Sequence, residues 1–271
     1  MRPRDRLHQR AVHFVASRRR RLVFRGMRRL ARSYLDLDGN RSFAAATNGE
    51  GRVLEKIALA GAACLFDVGA NVGDWSLRAR RVAPAATVHA FEIVPDTAEV
   101  LARATADDPH IQVNACGLAR EEGSLEVRYY PSFSEGSGVT AAIDLPYEMR
   151  TCAVTTGDAY CASHGIERVD FLKLDVEGAE DSVLGGFARM FAAGAVEAVQ
   201  FEYGLPNIER HFLLRDFHAF FAERGFAVGK IYPNHVDFRP YDPAIDEDFR
   251  GPNYVAVRAD RADLVAALSG S

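Results

Sequence analysis

At 271 residues, with 48% hydrophobic and 26% charged residues, the chain has the make-up of one large or two small globular domains, which excludes a disordered or fibrous protein. Its net charge of −4 is unevenly spread: residues 1–35 carry twelve arginines and one acid, a local +11, leaving −15 on the other 236 residues. A basic arm on an acidic body is not the footprint of a nucleic-acid binder, whose positive charge covers its folded face, so no nucleic-acid partner is expected.

The four cysteines (Cys64, Cys116, Cys152, Cys161) show no C-x-x-C spacing, which excludes a zinc ribbon and points to free thiols in a reducing cytosol. No run reaches the roughly 18 apolar residues of a membrane span, and the apolar stretch 11–16 is too short for a signal peptide. A cytoplasmic location is expected, and thirty arginines against three lysines read as the codon usage of a GC-rich bacterium.

In chain order, residues 6–35 read as a helix with a thin apolar stripe (Leu7, Val12, Val15, Leu22, Val23, Met27, Leu30, Tyr34) and arginines on its other face. That arm is expected to associate peripherally with an anionic membrane, at its inner face, or with an acidic partner. The Asp-, Gly- and Asn-rich stretch 36–51 is a connector, and a short helix over 53–59 leads into the core. The domain boundary falls between an extension, 1–47, and a main domain, 48–271.

From there, short apolar runs predict strands at 64–68, 87–92, 111–118, 171–176, 196–203, 226–232 and 254–258. Helices are predicted at 75–82, 96–106, 179–192 and 213–224. Such alternation implies βαβ crossovers and a parallel sheet covered on both faces. One interruption, a strand at 124–130, a Ser/Gly-rich loop at 131–150 and a strand at 151–156, is long enough for the loop to close over a substrate.

The first strand ends Asp67-Val68-Gly69-Ala70-Asn71-Val72-Gly73, a glycine turn that lets a ligand approach the main chain at the carboxyl end of a parallel sheet. Asn71 stands where the dinucleotide fingerprint has its second Gly, which argues against a nicotinamide or flavin. Glu92, ending the next strand 19 residues after Gly73, suits both hydroxyls of a ribose. Asn114-Ala115-Cys116-Gly117 ends the third strand, where an amide could meet an adenine edge.

Farther on, Lys173, Asp175 and Glu177 alternate with apolar residues and so share one face of a strand; charges there need partners. Glu202 ends the fifth strand, and His211 and His235 follow later elements. Asp175, Glu202 and His211 are candidate catalytic bases beside Lys173. Magnesium would suit an oxygen-rich acidic site at Asp175, but no metal is expected.

Taken together, DVGANVG (67–73), Phe91-Glu92 followed by Pro95, the 114–117 turn and FLKLDVEGAE (171–180) resemble the FkbM-type methyltransferases, a branch of the class I S-adenosylmethionine-dependent superfamily. Asn48-Gly49-Glu50 resembles the family too, and the likeness covers 48–232, about two-thirds of the chain. Ile93-Val94 depart from it, since a Pro usually follows the Glu sooner. The resemblance implies an α/β Rossmann-like fold with a seven-stranded sheet, six strands parallel and one antiparallel, helices on both faces and here a basic helical arm. It implies methyl transfer from S-adenosylmethionine, generally to an oxygen of a sugar, glycan or natural product. It places Asp67, Gly69, Ala70, Asn71, Gly73, Glu92, Asn114, Ala115 and Asp175 at the cofactor. Rival readings are a nicotinamide oxidoreductase on the same fold, against which the lack of a Tyr-x-x-x-Lys pair also counts, and a non-catalytic nucleoside-binding module.

Overall fold

Runs rich in Val, Leu, Ile and Phe settle into strands because helices then bury both of their faces. The computed structural model describes residues 3–139, 145–250 and 252–270. The chain divides into two compact units, Met1–Arg41 and Ser42–Ser271. The first holds α1 (Pro3–Ser17) and α2 (Leu22–Asp38), so the helix expected over 6–35 is two helices. The break falls at Arg18, Arg19, Arg20 and Arg21, four like charges that a continuous helix would crowd around about one turn.

The second unit opens with α3 (Glu50–Leu59), β1 (Cys64–Val68), α4 (Asp74–Val82), β2 (Thr87–Phe91), α5 (Pro95–Ala104), β3 (Ile111–Asn114) and β4 (Gly117–Leu118). It continues through β5 (Gly123–Tyr129), β6 (Glu148–Thr155), α6 (Gly157–His164), β7 (Val169–Leu174), α7 (Glu180–Gly186), α8 (Ala188–Ala192) and β8 (Val196–Glu202). Last come α9 (Pro206–Arg210), α10 (Leu214–Ala222), β9 (Phe226–Ile231), β10 (Val236–Phe238), β11 (Asn253–Arg258) and α11 (Ala262–Ser269).

The main sheet has the order β10-β9-β11-β8-β7-β1-β2-β3. β3, β2, β1, β7 and β8 are parallel neighbours. β11 is antiparallel to both β8 and β9, so β9 runs with the parallel set. The expected six parallel strands and one antiparallel are therefore joined by an eighth, β10, paired antiparallel to β9. Only three residues long, β10 offers no periodicity to read. The order reverses between β1 and β7, where an open α/β sheet leaves a ligand crevice beyond its carboxyl ends.

A second sheet, β4-β6-β5, takes up the interruption. The strand expected over 111–118 is divided between the two sheets. Asn114 ends β3 by donating its Nδ2 back to the carbonyls of Gln112 and Ala90, at 3.0 and 3.3 Å, and Gly117 then starts β4. Similarly, the helix expected over 179–192 breaks at Phe187, just after Gly186, whose missing Cβ leaves room for the Ala119 carbonyl.

One apolar layer gathers Phe66, Leu172, Val199 and Phe201 with Tyr160, Phe187 and Phe217 from the covering helices. The other gathers Leu65, Phe171, Ala198 and Val255 with Val53, Leu54, Ala79 and Leu264. All four cysteines are free, Cys152 and Cys161 buried and Cys64 and Cys116 half-buried.

Candidate functional site

Register brings the site together. Val68 lies level with Phe91 of β2 and Leu174 of β7, Leu174 with Phe201 of β8, and Phe91 with Asn114 of β3. The next residue on each strand therefore falls in one row: Ala115, Glu92, Gly69, Asp175 and Glu202. Strands lie about 4.8 Å apart, so Glu92 and Asp175 flank the Gly69 turn at roughly 10 Å from each other. Backbone bonds extend the alignment, from Gly69 and Ala70 to the Phe91 carbonyl (3.0 and 2.9 Å) and from Asp175 to that of Val68 (3.0 Å).

The turn itself needs its glycine. Gly69 has φ +83°, and a Cβ there would stand 1.8 Å from the Asp175 carbonyl oxygen. Asn71 also lies in the left-handed region, at φ 45°, and Gly73 precedes α4 at φ 98°. This conformation turns the Asn71 amide toward Glu92, which accepts it on Oε2 at 2.9 Å and the Val94 amide on Oε1 at 2.9 Å. Each oxygen keeps a further lone pair for a ligand. Glu92 is buried; burial pushes its pKa up, against the two backbone donors that favour the carboxylate. Ala70 is buried beside it, and Ala115 is exposed at the rim.

The loop after β5 lies on this turn. Ser134 Oγ hydrogen-bonds Asn71 Oδ1 at 3.0 Å, and a Cβ on Gly138 would stand 3.0 Å from that of Glu177. Of the 131–150 loop expected to close over a substrate, residues 140–144 lie outside the described residues.

Beneath the row, Lys173 donates to Asp175 Oδ2 at 3.0 Å and Asp67 Oδ1 at 3.3 Å, while Ser76 Oγ donates to Asp67 Oδ2 at 2.7 Å. Burial alone would lower the Lys173 pKa, but the carboxylates of Asp175, Asp67 and Glu50 outweigh it and raise it. Lys173 thus ties Asp175 to Asp67 from beneath the row. Asp67 is fully buried, with one side-chain oxygen engaged by Lys173 and the other by Ser76. Asp175, whose side chain is 34% exposed, faces outward. Glu177 does not continue the strand face as expected, because β7 ends at Leu174 and Glu177 occupies the turn at φ 52°.

Glu202 is half-buried at the end of β8, and its pKa is raised well above the ordinary range by burial, then by Asp175, Glu177 and Glu50, with Lys173 opposing. His211, the other candidate base, is exposed beyond α9 and is not among the groups this network gathers. His235 stacks on Tyr232, ring centroids 5.1 Å apart.

Three further carboxamides complete the network. Glu50, at the start of α3, accepts Gln200 Nε2 at 2.7 Å, Asn253 Nδ2 at 3.1 Å and Asn48 Nδ2 at 2.5 Å. Gly49 permits the approach, with φ 104° and a Cβ position 2.2 Å from the Tyr232 carbonyl oxygen. The sequence signal for this cluster is faint: a polar Gln200 inside an apolar strand, and the Asn48-Gly49-Glu50 stretch itself.

Glu180 holds the turn that carries Asp175. Its Oε1 accepts the amides of Val176 (3.2 Å) and Gly178 (3.3 Å), and its Oε2 accepts Asn207 Nδ2 at 3.4 Å. Burial raises its pKa from 4.5 to about 7, in spite of these backbone donors. As pH rises, the unfolded chain therefore loses this proton first, and the carboxyl's contribution to stability declines between about pH 4.5 and 7. The shift corresponds to about 3 kcal/mol. Glu180→Gln, which cannot titrate, should gain on the parent by about that much in urea unfolding between about pH 4 and 8. A stability difference that stays constant across those pH values would refute the assignment.

Residues 67–228 match the family model of the methyltransferase FkbM domain. The chain belongs to the FkbM methyltransferase family. Among curated proteins, this FkbM-family chain is 31% identical to methyltransferase sdnD of Sordaria araneosa over 45% of its own length and 59% of that protein's. It is 30% identical to the 31-O-demethyl-FK506 methyltransferase FkbM of Streptomyces tacrolimicus, over 45% of this chain and 58% of the relative. The chain thus spans under two-thirds of the relatives it matches. A crystal structure of methyltransferase FkbM from Methylobacillus flagellatus KT aligns with 72% of this chain and 43% of its own, at 17% identity and a TM-score of 0.45.

Proposed function

We propose that the chain transfers a methyl group from S-adenosylmethionine to an oxygen of a sugar, glycan or natural product. The observation that carries this reading is the single row of Glu92, Gly69 and Asp175 at the reversal of strand order. The residues fit the cofactor: a carboxylate with lone pairs to spare for ribose hydroxyls, a glycine cradle that a Cβ would fill, and a second, outward-facing carboxylate for an ammonium. Asn114 and Ala115 border the place where a base edge would lie. The bound sulfonium supplies its own methyl activation, which leaves the chain to align the acceptor and manage its proton.

In that division of labour, Glu92 accepts from the ribose and Asp175 holds the cationic end, oriented by the Lys173 ammonium beneath it. Glu202 takes the acceptor's proton, because a raised carboxyl pKa brings a general base closer to the working pH. Oxygen as the accepting atom is supported by the name of the 31-O-demethyl-FK506 methyltransferase relative.

Glu92→Ala tests the cofactor reading. Losing a charge-assisted hydrogen-bonding group should weaken S-adenosylmethionine binding by about 2 kcal/mol, or roughly thirtyfold. Titration calorimetry that returned the parent's affinity would remove Glu92 from the site.

A further inference from the structure

The unit Met1–Arg41 contains none of the residues named in the site above, and its side chains have a pattern of their own. Along α2, Val23, Met27, Leu30, Tyr34 and Leu37 recur at steps of four and three, which places them on one face of the helix. All five are exposed, from 59% for Met27 to 81% for Leu37, and α2 buries none of its residues. Arg25, Arg28, Arg29 and Arg32 fall on the opposite side, about 140–240° around the helix at 100° per residue. Arg6 and Arg10 of α1 and Arg18 just after it add cations, lining a groove with His13 and Phe14. Phe14 meets Phe24 of α2 edge-on at 5.9 Å, with the Arg18 guanidinium 4.1 Å from the Phe14 ring centre, so the two helices present their cations as one unit.

We propose that this arm binds the surface of an anionic lipid bilayer, with the apolar face of α2 in the acyl boundary and the arginines among the headgroups. An exposed apolar face with four arginines and a single acid, Asp36, opposite fits a surface that is hydrocarbon below and anionic above. A second copy fits less well, since the unit holds thirteen arginines against three acids and pairing would join two charges of +10. No described helix is long and apolar enough to cross a membrane, so the contact lies along the surface.

The test uses the full chain and sedimentation with vesicles of phosphatidylcholine, alone or with about a third phosphatidylglycerol. The chain should pellet with the anionic vesicles only. Met27→Asp and Leu30→Asp, both at exposed positions, should each weaken binding roughly tenfold or more, and Arg28→Glu with Arg29→Glu should weaken it further at low salt. Unchanged melting temperatures would show that the body stays folded. Equal binding to neutral vesicles, no binding to either, or binding indifferent to Met27 and Leu30 would overturn the proposal. So would a dimer, seen in sedimentation equilibrium, that Met27→Asp dissolves, because the face would then belong to a second copy.

Discussion

Lys173→Met is expected to destabilise the main unit by about 3–5 kcal/mol, the scale of a buried charge left without its partner. Asp67 is fully buried, and Lys173 is the cation within reach of its Oδ1. Ser76 alone would then hold a carboxylate that has no water to turn to. Asp67→Asn in the Lys173→Met background removes the stranded charge, so the double variant should recover most of the loss. Urea unfolding of parent, single and double variants measures both quantities. A loss under about 1 kcal/mol, or a double variant no better than the single, would mean that the pair is not the keystone of this sheet.

Asp175→Asn should act on turnover instead. Asp175 lies one residue beyond β7, next to the Gly69 turn, with Lys173 fixing its carboxylate from below. The amide keeps the volume and a hydrogen bond but not the charge, so the cationic end of the cofactor is held less firmly. Misplacement of reacting groups by about 1 Å costs on the order of 100-fold in rate. Because the side chain is partly exposed, the melting temperature should stay near the parent's. Rate, with an acceptor that the parent methylates, and melting temperature should be measured on one preparation. Full activity, or a loss matched by unfolding, would assign this strand a different role.

Much of this arrangement was legible beforehand because it follows from short-range pattern. Apolar runs leading into Gly69, Glu92 and Asp175 read as buried parallel strands with a turn glycine or a carboxylate just past their carboxyl ends, and register did the rest. The failures are places where a tertiary contact overrides such a pattern. Residues 111–118 read as one strand, yet the Asn114 side chain turns back on its own strand and the chain changes sheets at Gly117. Residues 179–192 read as one helix until Gly186 admits the Ala119 carbonyl. Glu50 meets Gln200 and Asn253 across 150 and 203 residues, a distance over which no local period speaks. Lys173 was visible as a charge on a strand that needs a partner; that Asp67, on the neighbouring strand, is one of its partners required the packing.

Amide hydrogen exchange with and without S-adenosylhomocysteine is the most direct test of a cofactor site at the reversal of strand order, since it reports binding and its place together. Protection should appear at 69–73, at 92–94 and in the 114–117 turn, where exposed or singly held backbone would be covered, with the far ends of the same strands unaffected. Protection confined to other segments, or none at a ligand concentration that saturates other methyltransferases, would contradict the account.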